Sequence, residues 1–129
     1  MVYIKSYKEL IVWQKSILLV KEVYLLTEKF PASELYTLTS QIRRSAISIP
    51  SNIAEGYGRN SLKDYTKFYN VAYGSALELE TQLLLGKELR FINERDALKA
   101  EQLLNEVCRM LHAMIIKMKN LHLEIKTNS

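Results

Sequence analysis

An apolar residue recurs at every third or fourth position of residues 104–125, LNEVCRMLHAMIIKMKNLHLEI. The recurring residues are Leu104, Val107, Leu111, Met114, Met118, Leu121 and Ile125. This spacing, held for about three heptads, places one apolar seam along a long α-helix. Because such a seam must be covered by other helices, the stretch predicts a helical bundle.

Three further helical segments precede this one. Helix 1 is predicted to begin at Ser6 with a capping box and to end before Phe30-Pro31. Helix 2 is predicted over Glu34–Tyr57, and helices 3 and 4 are predicted to begin at Ser61 and Asn93. The predicted buried seams are Leu10, Trp13, Ile17, Val20 and Tyr24 in helix 1, Leu38, Ile42, Ala46, Ile49 and Ile53 in helix 2, and Tyr65, Tyr69, Ala72, Ala76, Leu79 and Leu83 in helix 3.

The composition agrees with this pattern. The chain has 129 residues, of which 48% are hydrophobic and 25% charged, which favours one globular domain over residues 1–129. Only 4 Gly and 2 Pro are present, too few turn residues for a many-stranded β-fold. Because the predicted connections are very short, we expect an all-α, up-down-up-down antiparallel four-helix bundle.

Two local features leave alternatives open. Pro50 falls inside helix 2, where we expect a kink, although two shorter helices meeting there would also fit. Gly74, Ser75 and Ala76 in helix 3 would let a partner helix approach closely. Both features concern how helices pack against each other.

Compartment is inferred from what the sequence lacks. Cys108 is the only cysteine, so no intrachain disulfide can form. Residues 1–5 show no signal peptide, and no apolar run is long enough to span a membrane. We therefore expect a cytoplasmic protein with no membrane partner.

Several helices are apolar on more than one face. Helix 1 adds Ile11, Leu18 and Leu25 on a second side and Leu19 and Leu26 on a third, and helix 3 adds Tyr73, Leu77 and Leu84. One bundle has a single interior, so the surplus apolar surface predicts a homo-oligomer.

Helix 2 carries a polar stripe on an otherwise apolar surface. One interpretation is a structural network of Gln41, Asn52, Glu55 and Glu78, with Arg44 paired to Glu55 or Glu78. The other is a phosphate-binding surface, which suits the formal charge of +4. Its candidate nucleic-acid-binding residues are Arg43, Arg44, Arg59, Lys63 and Lys67.

Catalytic chemistry has little support in the sequence. Cys108 and His112 share a helical spacing but lack the further ligands of a structural zinc site. The face of Tyr65, Tyr69 and Tyr73 fits core packing better than base stacking. We expect a protein that is not an enzyme, with no catalytic residue, no metal and no cofactor.

Three motifs resemble the family of four-helix bundle proteins encoded in intervening sequences of bacterial 23S rRNA genes. They are Leu10-Ile11-Val12-Trp13-Gln14-Lys15, the run from Leu38-Thr39-Ser40-Gln41-Ile42-Arg43-Arg44 to Ser48-Ile49-Pro50-Ser51-Asn52-Ile53-Ala54-Glu55-Gly56, and Tyr73-Gly74-Ser75-Ala76-Leu77-Glu78-Leu79-Glu80 with Thr81-Gln82-Leu83. The resemblance implies a cytosolic homopentamer, and its genomic setting suggests RNA as partner.

These observations lead to two functional hypotheses. The first is a non-enzymatic oligomeric bundle that binds nucleic acid, RNA in particular and ribosomal RNA among its targets, through basic residues. The alternative is a protein-interaction scaffold with a protein partner and no nucleic-acid binding. Salt-sensitive RNA binding distinguishes the first from the second.

Overall fold

A computed structural model describes residues 5–128 of the chain and contains four long helices. Their bounds are α1 Ile11–Thr27, α2 Leu38–Tyr57, α3 Leu62–Glu88 and α4 Glu94–Thr127. Short 3₁₀ turns at Tyr7–Glu9 and Ala32–Glu34 precede α1 and α2. Residues 1–4, where no signal peptide is expected, and residue 129 lie outside the described residues.

The helices form the predicted up-down-up-down bundle. Each helix packs against the next in sequence, and α1 also packs against α4, which closes the bundle. Lys15 on α1 pairs with Glu106 on α4, and Glu22 further along α1 pairs with Lys99 at 3.1 Å. Because the partner's number falls as the α1 number rises, α1 and α4 run antiparallel. Helices α1 and α3 therefore occupy opposite corners.

Local capping confirms two of the predicted helix starts. The Ser61 hydroxyl oxygen accepts a hydrogen bond from the Asp64 backbone N–H at 3.1 Å. The Asn93 carboxamide oxygen accepts one from the Asp96 N–H at 2.8 Å. Each side chain satisfies a backbone donor that has no partner within its helix.

The first two helices begin later than the sequence predicts. Ser6 caps only the Tyr7–Glu9 turn, where its hydroxyl accepts from the Lys8 N–H at 3.1 Å. Leu10 is then extended, with φ −70° and ψ 125°, so α1 begins at Ile11. A second non-helical residue, Thr37, delays α2 to Leu38. The predicted starts at Ser6 and Glu34 are therefore wrong.

Helix α2 passes through its proline without a break. It is one helix of 20 residues with Pro50 inside it and buried. The alternative of two shorter helices is therefore not what the structure adopts.

The predicted seam of α1 is also wrong. Its buried side chains are Val12, Leu19, Val23 and Leu26 together with Ser16 and Thr27, whereas Tyr24 is exposed. Leu10, Trp13 and Val20 are only partly buried and pack against the core, and Ile17 is also only partly buried. The correct seam lies one or two positions away from the predicted one, because α1 is apolar on nearly every side.

The other three seams agree better with the sequence. In α2 and α3 most predicted positions are buried, and in α4 Leu104, Val107, Leu111 and Met118 are buried. Leu121 and Ile125 are exposed, because α4 extends past the helices that cover its first part. No helix within residues 5–128 combines the length and apolar character that a membrane crossing requires.

Of the three small residues predicted to allow close helix approach, Ser75 contacts Ser48 on α2 and Ala76 is fully buried, whereas Gly74 lies outside the helix contact. A Cβ atom at Gly74 would meet no atom within 4 Å, so Gly74 faces open space in the protomer. At Gly56 a Cβ atom would lie 3.1 Å from the Phe68 Cβ. Gly56 therefore allows α2 and the start of α3 to come together.

Candidate nucleic-acid interface

The five predicted nucleic-acid-binding residues do not form one cluster. Arg43 and Arg44 lie in the first part of α2, whereas Lys63 and Lys67 lie in the first part of α3. Because α2 and α3 are antiparallel, these two pairs lie toward opposite ends of the bundle. Arg59 lies in the connection between the two helices. The structure thus divides the predicted site into two surfaces.

The first surface is the lysine groove between α3 and α4. It has a volume of about 470 Å³, and it is lined by Lys63, Thr66, Lys67, Asn70, Met118, Lys119, His122 and Leu123. None of these described lining residues is acidic. Three ammonium groups around one cavity create a positive potential that attracts phosphate.

Helical periodicity explains why these side chains converge. Lys63 and Lys67 are four residues apart and share one face of α3. Lys119 and His122 are three residues apart and share one face of α4. On the α3 side of the groove, the Asn70 side-chain NH₂ donates a hydrogen bond to the Thr66 carbonyl at 3.0 Å. Lys119 and His122 are not among the residues predicted from the sequence to bind nucleic acid, although their three-residue spacing places them on one helix face.

The second surface is the tyrosine groove between α1 and α2. It has a volume of about 490 Å³, and its lining residues are Tyr24, Leu35, Tyr36, Ser40, Arg43, Arg44 and Ile47. The Arg43 Nε donates to the Thr27 hydroxyl at 2.9 Å, and its guanidinium lies 4.5 Å from the Tyr24 ring centroid. Arg43 is therefore held in place, whereas Arg44 is exposed.

Arg59 is partly neutralised by its own helix. Its guanidinium lies 2.7 Å from the Glu55 carboxylate and 4.6 Å from the Phe68 ring centroid. Both members of this ion pair are about half exposed, so the pair adds little to stability.

The predicted polar network exists in a different form. Asn52 donates to the Ser48 carbonyl at 2.8 Å, and the Ser48 and Ser75 hydroxyls lie 2.8 Å apart. The Ser45 hydroxyl donates to the Glu78 carboxylate at 2.5 Å, so two polar contacts join α2 to α3.

The other two residues of the predicted network, Gln41 and Glu55, take no part in the contacts between α2 and α3. Gln41 is exposed, and Glu55 pairs with Arg59. The expected ion pair of Arg44 with Glu55 or Glu78 does not form among the described residues; Glu55 pairs with Arg59, and Glu78 accepts a hydrogen bond from Ser45.

The tyrosine face of α3 lies mainly inside the bundle. Tyr69 is fully buried, and its phenol oxygen accepts from the Tyr65 hydroxyl at 3.0 Å. Burial raises the pKa of Tyr69 well above its usual value. Tyr73 packs 5.7 Å from the His112 ring. The buried Tyr69 ring cannot stack on a nucleic-acid base.

The thiol of Cys108 is poorly suited to nucleophilic chemistry. Burial, with a smaller contribution from the nearby Glu80 carboxylate, raises its pKa to about 11. The thiolate is the reactive form, so near neutral pH almost all of the thiol is protonated and unreactive. His112 contacts the Tyr73 ring instead of activating this cysteine.

Comparison with known proteins places this bundle in a family. Residues 8–113 match the family described as 23S rRNA-intervening sequence protein. A crystal structure of a protein with unknown function from the S23 ribosomal protein family of Bacteroides thetaiotaomicron superposes with a TM-score of 0.74 and 25% sequence identity. The superposition covers 81% of this chain and 98% of that one. No curated protein matches the chain. The chain belongs to the 23S rRNA-intervening sequence protein family.

Proposed function

We propose that this protein is a non-enzymatic, oligomeric four-helix bundle that binds nucleic acid, with RNA as the preferred ligand. The observation that carries the proposal is the lysine groove, where Lys63, Lys67 and Lys119 line one cavity without an acidic neighbour among its described lining residues. Such a groove suits a phosphate backbone, which supplies most of the affinity in sequence-independent binding. The family name associates these proteins with ribosomal RNA genes.

The proposed self-association would increase the positive charge of the particle that binds RNA. A protomer has a formal charge of +4, and identical copies in one particle present several lysine grooves to the same RNA. When several weak sites on one particle bind the same RNA, the overall affinity exceeds that of any single site. By family resemblance, the oligomer that we propose is a homopentamer.

The exposed apolar residues indicate how copies could meet. On α1, Ile11, Leu18 and Leu25 are between 50% and 59% exposed and lie seven residues apart on the outward face. On α3, Val71, Leu77 and Leu84 are also exposed. Because α1 and α3 occupy opposite corners, a contact of α1 with the next copy's α3 can repeat around a ring.

Binding is tested by titrating labelled structured RNA with the whole protein at two salt concentrations. We expect binding at micromolar protein that weakens steeply as salt rises, because bound lysines release counterions from the phosphates. Absence of salt-sensitive binding rejects the proposal. In that case a stoichiometric protein partner that binds without the basic residues would support the scaffold function instead.

The oligomer is tested by Leu18→Glu. We expect this charge to reduce the mass measured by light scattering toward the 15.0 kDa of one chain, because a buried carboxylate at a subunit contact is costly. Leu98→Glu on α4 is the control, since Leu98 is equally exposed but lies outside both apolar faces. A wild-type protein of one-chain mass, or an unchanged mass for Leu18→Glu, contradicts the proposed contact.

A further inference from the structure

One aromatic ring of the tyrosine groove, that of Tyr36, is not buried in the core of the bundle. Tyr36 follows the Ala32–Glu34 turn and is 90% exposed, whereas the neighbouring Tyr24 is covered in part by Arg43. Leaving a phenol ring in water forgoes the gain from burying it. Beside it lie an immobilised guanidinium, Arg43, and an exposed one, Arg44.

The chemistry of the groove fits a ligand with a flat ring and a negative charge. No acidic side chain is among its described lining residues, and two guanidinium groups, those of Arg43 and Arg44, line it. Leu35 and Ile47 add apolar surface against which a ring can pack. A nucleotide combines these properties, since its base stacks on aromatic rings and its phosphate pairs with arginine.

Because Tyr36, Arg43 and Arg44 line one groove, we infer that the tyrosine groove binds an unpaired nucleotide. Its base stacks on the Tyr36 ring, and Arg44 and Arg43 hold its phosphate. The inference rests on the proposed RNA binding and adds a preference for single-stranded or looped segments. In a duplex the bases are stacked on each other and cannot reach the Tyr36 ring. Among its described lining residues the lysine groove has three lysines, one imidazole (His122) and no Phe, Tyr or Trp, so we expect it to bind backbone phosphates of either form.

Base stacking on Tyr36 and phosphate binding by the lysines can be distinguished experimentally, because only the stacking requires unpaired RNA. Removing the Tyr36 ring affects only unpaired RNA, whereas removing lysines affects every RNA. Because Tyr36 is almost fully exposed, its replacement leaves the packing of the bundle intact.

The experiment measures fluorescence anisotropy of the full-length protein with two labelled probes. One is single-stranded oligouridine of about 12 nucleotides, and the other is a perfect RNA duplex of similar length. We expect Tyr36→Ala to weaken oligouridine binding about tenfold and to leave duplex binding within about twofold of wild type. Tyr36→Phe, which keeps the ring, is expected to bind both probes as wild type does.

Any of the following results would contradict the inference. Unchanged oligouridine binding by Tyr36→Ala, or an equal loss on both probes, shows that Tyr36 does not stack on a base. A lower particle mass with unchanged RNA binding shows that the groove is a subunit contact. Polyglutamate binding that Tyr36→Ala abolishes, with oligouridine affinity intact, assigns the groove to acidic peptides. If the wild type binds neither probe, the proposed function fails as well.

Discussion

Replacing Leu19 by alanine is expected to lower the free energy of unfolding by about 2–5 kcal/mol. Leu19 is fully buried in α1 and belongs to the cluster of buried side chains that all four helices share. The loss combines the transfer energy of the removed methyl groups with the cavity that remains, because a packed core relaxes only in part. Urea denaturation followed by circular dichroism measures the change.

The matched control is Leu98→Ala on α4. Leu98 is 53% exposed, so the same substitution removes little buried surface there and is expected to cost less than about 0.5 kcal/mol. The comparison tests the register of α1, since the sequence pattern assigns the buried seam to Leu10, Trp13, Ile17, Val20 and Tyr24. Equal losses at Leu19 and Leu98 would show that Leu19 does not lie in the core.

Removing the positive charge of the lysine groove is expected to weaken RNA binding about 10- to 100-fold at low salt. The variant carries Lys63→Gln, Lys67→Gln and Lys119→Gln together. Each lost phosphate contact also lowers the slope of log affinity against log salt by about 0.7 for single strands. The slope is therefore expected to fall by about 2 in all.

A second triple variant keeps the total charge equal. Lys8→Gln, Lys21→Gln and Arg109→Gln replace exposed basic residues outside both grooves, and either triple variant lowers the formal charge from +4 to +1. If the lysine groove is the binding surface, only the groove variant loses most of its affinity. Equal losses would mean that net charge alone attracts the RNA, and the groove would then have no special role.

Within the proposed function, the two grooves would contact different parts of one RNA. The lysine groove lies where α3 begins and the tyrosine groove lies where α2 begins, so they occupy different ends and sides of the bundle. An RNA that contacts both would present a backbone segment to one and an unpaired nucleotide to the other. Structured RNAs with loops contain both elements, which is why RNA is preferred to duplex DNA in this proposal.

The starts of α3 and α4 were predictable because capping is local. Ser61 and Asn93 each reach a backbone N–H three residues ahead, within the same turn of chain. The same logic failed at Ser6, where a capping-box pattern formed around a single 3₁₀ turn. The four-residue capping pattern at Ser6 determines only a local turn. Whether the helix continues from this turn into α1 depends on where Leu10 and Trp13 pack.

The sequence by itself determined the four-helix architecture, since long amphipathic segments with very short connections have few other ways to bury their seams. It could not choose the buried side of α1, because that helix is apolar almost all round and only its contacts with α2 and α4 decide which face turns inward. Lys63 and Lys67 were predictable as neighbours on one helix. Their meeting with Lys119 and His122, and the separation of Arg43 and Arg44 from them, follow from antiparallel packing, which brings together residues more than fifty positions apart.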